Sequence, residues 1–135
     1  MMNIQKKIKE ILKPYIYYIS DEKIYLGNNQ DICIEITEEM ILIDFWGFNN
    51  ILYLFNYSSF EAMLEELGEF LKRIFIGKIK IESYYAKNKV VKRVIYAGLN
   101  DWEKITSSTN IRYIFFKKEK RIKIIDVKGY IKNKS

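Results

Sequence analysis

Apolar positions along this chain recur with two different spacings, and the changes between them mark its elements. Over residues 3–13, Ile4, Ile8, Ile11 and Leu12 fall on one helical face, with Lys6, Lys7, Lys9 and Glu10 elsewhere. This predicts a first helix, stopped by Pro14. Residues 15–19, YIYYI, read as a packed connector or a second short turn. Strict alternation follows. Residues 23–26 are a short strand candidate. In 32–37, Ile32, Ile34 and Ile36 oppose Cys33, Glu35 and Thr37, and in 40–46, Ile41, Ile43 and Phe45 share a face. Glu38 and Glu39 form a turn between these two strands. A turn region over 47–50 leads to a third strand ending near 55, so the series reads as an antiparallel meander.

The clearest helical signal is SSFEAMLEELGEFLKRIFIGK. Phe60, Met63, Leu64, Leu67, Leu71, Ile74 and Phe75 form an apolar stripe at 3.6-residue spacing. Ser58 and Glu61 fit a capping box, and Gly77 suits the residue that follows a helix end. Gly68, inside the helix, suggests close packing. Alternation then returns in 78–85 and 90–97 around an Ala-Lys-Asn-Lys turn. Residues 98–110 read as a polar connector holding Trp102. Residues 111–116 and 121–127 read as a last hairpin around Lys117, Lys118, Glu119 and Lys120. The pattern predicts an α+β fold. Its expected form is an antiparallel sheet of about six to seven strands, one central amphipathic helix and an N-terminal helix, in a single domain over 1–135.

Composition narrows the chemistry. The 135 residues include no histidine and one cysteine, Cys33, which rules out an internal disulfide and histidine acid/base work. Cys33 reads as a strand thiol. No Gly-rich phosphate loop occurs, and no catalytic signature, metal set or cofactor motif stands out. The apolar window 40–55 is interrupted by Asp44, Asn49 and Asn50 and is too short for a membrane span of about 20 residues. With no secretory pattern at the start, the expected location is the cytoplasm.

The net charge of +6 conceals a split. Residues 1–70 hold five Lys/Arg and twelve Asp/Glu, a balance of −7, and residues 71–135 hold eighteen and five, a balance of +13. Such asymmetry points toward charged partners. Glu35, Glu38, Glu39 and Asp44 cluster around one hairpin and suit a basic protein partner better than a metal. Trp102, between Asp101 and Glu103, suits either an apolar interface anchor or a lid over the core. The alternative reading is a small nucleic-acid-binding domain that uses the basic second half. In the last hairpin, however, aromatic residues stand beside β-branched ones on both faces, as packed strands do, and the lysines occupy a turn.

The layout resembles the small immunity proteins of polymorphic toxins, including those of bacterial contact-dependent growth inhibition. The segment FEAMLEELGEFLKRIFIGKIKIESYYAKNKVVKRVIY, a capped amphipathic helix running into a basic hairpin, carries the resemblance together with the later DWEKI. It implies a non-enzymatic protein that binds a cognate toxin domain and blocks its active site or substrate access. Many such toxins are nucleases, whose basic clefts favour acidic inhibitor surfaces. The net positive charge of this chain departs from that pattern.

Overall fold

A computed structural model describes residues 4–28, 31–110 and 117–132. The fold is α+β, with two helices and nine strands in two antiparallel sheets among the described residues. The chain divides into two compact units, Met1–Lys72 with Lys128–Ser135, and Arg73–Val127.

The first unit opens with α1 (Ile4–Leu12), after which five strands form a meander in chain order. These are β1 (Tyr17–Ser20), β2 (Lys23–Leu26), β3 (Ile32–Ile36), β4 (Met40–Phe45) and β5 (Phe48–Tyr53). Two of its hairpins close with two residues at positive φ, Asp21–Glu22 and Trp46–Gly47, the geometry whose twist matches the flanking strands. The turn expected over 47–50 is therefore tighter, and Asn49 and Asn50 lie within β5. The stretch read as a connector supplies β1, whose residues after Tyr17 are all exposed. Between β3 and β4, the Thr37 hydroxyl donates to the Met40 carbonyl and accepts from the Glu39 and Met40 amides.

Helix α2 (Phe60–Ile74) buries Met63, Leu64, Leu67, Phe70, Leu71 and Ile74; of the predicted stripe Phe60 is only half-buried, Phe75 is buried just past the helix end, and Phe70 is added. Phe70 meets Phe45 edge-on at 5.1 Å, which seats α2 on the face of the five-stranded sheet that also buries Ile24, Ile32, Ile34, Ile41 and Ile43. The cap is Ser59 rather than Ser58, since the Ser59 Oγ accepts from the Ala62 amide at 3.1 Å. A Cβ on Gly68 would meet only Ile11 of α1, at 3.7 Å, which is ordinary contact. Close packing does not require this glycine. Gly68→Ala is expected to raise the unfolding free energy by about 0.5–1 kcal/mol, as glycine removal in a helix interior does. A urea melt that shows no gain would overturn this reading.

The chain end returns to the first unit. Tyr130 accepts from the Trp46 indole N–H at 3.1 Å, donates to Asp31 at 3.4 Å and packs on Gly27, which is at positive φ. A Cβ on Gly27 would lie 2.7 Å from the Tyr130 ring.

The second unit holds β6 (Lys78–Ala86), β7 (Lys89–Gly98), β8 (Glu103–Thr109) and β9 (Glu119–Asp126), in sheet order β8-β7-β6-β9. The single sheet of six to seven strands is thus corrected to two sheets of five and four. The residues read as a polar connector supply β8, whose Ser and Thr residues suit an edge strand with little to bury. Gly77 has no positive φ. It is needed because a Cβ there would lie 2.6 Å from the Gly98 carbonyl oxygen. The first arm of the last hairpin, 111–116, lies outside the described residues. Its second arm, β9, pairs with β6, about forty positions earlier in the chain.

Candidate functional site

Each unit presents one sheet face that is not apolar core. In the first unit, register sets the face opposite α2. One row crosses four strands as Tyr25, Cys33, Asp44 and Asn49. A second runs Glu35, Leu42, Ile51, and a third pairs Met40 with Tyr53. Beyond the sheet, Phe55 is 82% exposed, and its ring stacks on Tyr53 at 5.3 Å. Ile51 and Tyr53 are exposed as well, and Met40 and Leu42 are half-buried.

The fold therefore brings Glu35 and Asp44 onto one face and interleaves them with apolar side chains. Glu38 and Glu39 stand exposed in the turn at the end of that hairpin. Glu38 also lines a cleft of about 730 Å³ with Glu22, Ile4, Ile8, Leu54 and Phe60. Cys33 is half-buried on β3. Burial pushes its thiol pKa up; the Asp44 and Glu35 charges add to the shift, while the Lys23 charge and the Tyr25 hydrogen bond oppose it. Among the described residues no group of three or more Cys, Asp or Glu is placed to hold a metal.

Trp102 belongs to the other unit and is exposed, with the Lys80 ammonium 5.0 Å from its ring. Lys80 also stands 4.6 Å from the Tyr96 ring. Register aligns Lys80 with Tyr96 and Ile124, Glu82 with Val94 and Ile122, and Tyr84 with Lys92 and Lys120. The opposite face carries Ile79, Ile81, Ile95 and Ala97, all buried.

Glu82 sits at the centre of the polar face and is only 6% exposed. Lys120 pairs with it at 2.9 Å, Lys80 at 3.8 Å, and the Tyr84 hydroxyl donates to it at 3.4 Å. The hydrogen bond from Lys120 holds its carboxyl below the usual range. Tyr96 and the lysine charges add to this, and burial opposes it. Sequence reading missed this cluster. The alternation of Lys80, Glu82 and Tyr84 was visible, but Lys120 reaches Glu82 only through the β6–β9 pairing.

Around the β6–β7 turn the charge is mostly positive. The turn residues Lys87 and Asn88 are at positive φ, and Lys89, Lys92 and Arg93 follow on β7. Glu119 pairs with Tyr85, so β9 starts beside this turn and brings Lys117, Lys118, Lys120 and Arg121 to the same end of the sheet.

No helix among the described residues is long and apolar enough to cross a membrane. No protein-family model matches the chain, and neither a curated protein nor a solved structure matches it.

Proposed function

We propose that this chain is a non-catalytic immunity protein of the cytoplasm, which neutralises a toxin domain by covering its active site or substrate path. The observation that carries the reading is the exposed face of the five-stranded sheet. There Met40, Leu42, Ile51, Tyr53 and Phe55 form an apolar centre, with Glu35, Asp44, Glu38 and Glu39 within or beside it. Protein interfaces have this anatomy, an apolar and aromatic centre with charge toward the rim. The carboxylates select a partner with a basic cleft, as an enzyme that handles nucleic acid has, and they speed its encounter. A rigid meander holds them at fixed spacing.

The test is to find the gene neighbourhood, express any toxin-like C-terminal domain encoded beside this chain, alone and with it, and measure protection and affinity. Ile51→Asp and Phe55→Asp are expected to weaken binding by about 30-fold or more, as loss of a central anchor does. Alanine at Glu35 or Asp44 is expected to cost more than alanine at Glu38 or Glu39, because the former lie among apolar side chains that exclude water. If all six variants protect cells as the wild type does, while charge reversal at Lys87, Lys92 or Arg93 abolishes protection, the face is wrongly assigned.

A further inference from the structure

The second unit carries fourteen Lys/Arg and five Asp/Glu over 73–127, a balance of +9. Its cations are not spread evenly over the sheet. At the end near Lys78, the residues Asp101, Glu103 and Asp126 offset Arg73, Lys78 and Lys104. At the opposite end the sequence places eight Lys/Arg against two acids, Glu119 and Glu82, which pair with Arg121 and Lys120. Lys92 and Lys120 flank Tyr84 on one face, with their ammonium groups 5.6 and 5.9 Å from its ring. Arg93 and Arg121 flank Ser83 on the other face, and Arg121 stacks on Tyr85 at 4.3 Å. A register shift between Tyr84 and Tyr85 bends the strand pair at this point.

We propose that this end of the four-stranded sheet binds a single-stranded nucleic acid through its phosphates, at a site separate from the acidic face of the first unit. Three observations favour that ligand. Cations stand on β7 and β9, two strand spacings of about 4.8 Å apart across β6, and along the turn, so they follow a linear polyanion rather than one point charge. Tyr84 and Tyr85 each hold a Lys or Arg over the ring, which fixes the cations beside aromatic faces of the kind nucleic-acid surfaces use. Among the described residues the large exposed apolar side chains at this end are Val90 and Ile122, which are too few to anchor a lipid surface. Sequence alone placed the basic signal in a hairpin turn. The pairing of β9 with β6 joins that turn to a second basic segment about thirty residues earlier.

The experiment titrates the full chain into a 5′-labelled 12-nucleotide mixed-sequence single strand, DNA and RNA separately, by fluorescence anisotropy from about 50 to 400 mM NaCl. Binding is expected to saturate and to fall linearly on a log–log salt plot. The triple variant Lys87→Gln, Lys89→Gln, Lys92→Gln should weaken binding at least tenfold at 100 mM salt and flatten the slope by about 2, the counterion release of three phosphate contacts on a single strand. A control triple on and just after α1, Lys6→Gln, Lys9→Gln, Lys13→Gln, removes the same charge and should change affinity less than twofold. Equal losses in the two triples would reduce the effect to net charge and overturn the proposal, as would no saturation at 50 mM salt. Tighter binding to phosphatidylserine vesicles than to either oligonucleotide, with the same loss in the β6–β7 triple, would reassign the site to membranes. The first triple is also expected to retain full protection in the toxin assay, so the two readings fail separately.

Discussion

Replacing Phe45 by alanine is expected to lower the unfolding free energy by about 3–5 kcal/mol, near the top of the range for one core substitution. Phe45 has no exposed surface, stacks on Phe48 at 6.0 Å and receives Phe70 of α2 edge-on at 5.1 Å. Truncation removes the transfer free energy of the ring, leaves a cavity between sheet and helix, and breaks two aromatic contacts together. Phe55→Ala is the matched control. It removes the same ring from a position 82% exposed, where changes stay within about 0.5 kcal/mol. Urea melts with an unchanged slope measure both. A loss below about 1 kcal/mol for Phe45 would mean that α2 does not rest on this face of the sheet.

The contrast between the two rings shows what the sequence made legible. Period-2 alternation put Ile41, Ile43 and Phe45 on one face, and all three are buried. The 3.6-residue stripe put Met63, Leu64, Leu67, Leu71 and Ile74 on one face of α2, and these are buried too. Both patterns are written by burial on one side. Where the sequence carries no such alternation, the elements were misread, whereas β9 alternates although mostly exposed and was read as a strand. β1 and β8 are edge strands with little buried surface, so their sequences lack the apolar alternation that marks a strand. The β1–β2 turn uses Asp21 and Glu22 at positive φ, without the glycine or asparagine that announces such a turn.

Sheet count was out of reach for a related reason. Nine strands separate into five and four according to which partners their edges find, and β9 finds β6 across about forty residues. The same pairing hid the Glu82 cluster and the basic end of the sheet. Of the five residues picked out beforehand, Glu35 and Asp44 prove to share a face, Glu38 and Glu39 adjoin it in the turn, and Trp102 belongs to the other unit. What alternation could not show is the apolar company of Glu35 and Asp44, because Leu42 and Ile51 looked like alternates of the core set rather than members of a second surface.

Glu82 supplies the second large effect, and its dependence on pH identifies the cause. Glu82→Gln is expected to cost about 2–3 kcal/mol at pH 7. This lies below the ~3–5 kcal/mol for one half of a fully buried pair, because Lys120 keeps contact with solvent and can rehydrate when its partner is lost. The folded-state carboxyl titrates below its unfolded value of about 4.3, so its stabilisation is fully present above that pH and is lost as pH falls through the lower folded-state pKa. Wild type and Glu82→Gln should differ by the full amount from neutral pH down to about 5. Their stabilities should then converge as the wild-type carboxyl protonates. A gap that persists unchanged into strong acid would mean that glutamine fails for its shape rather than its charge. In that case the tie between β6 and β9 would rest on packing rather than on the ion pair.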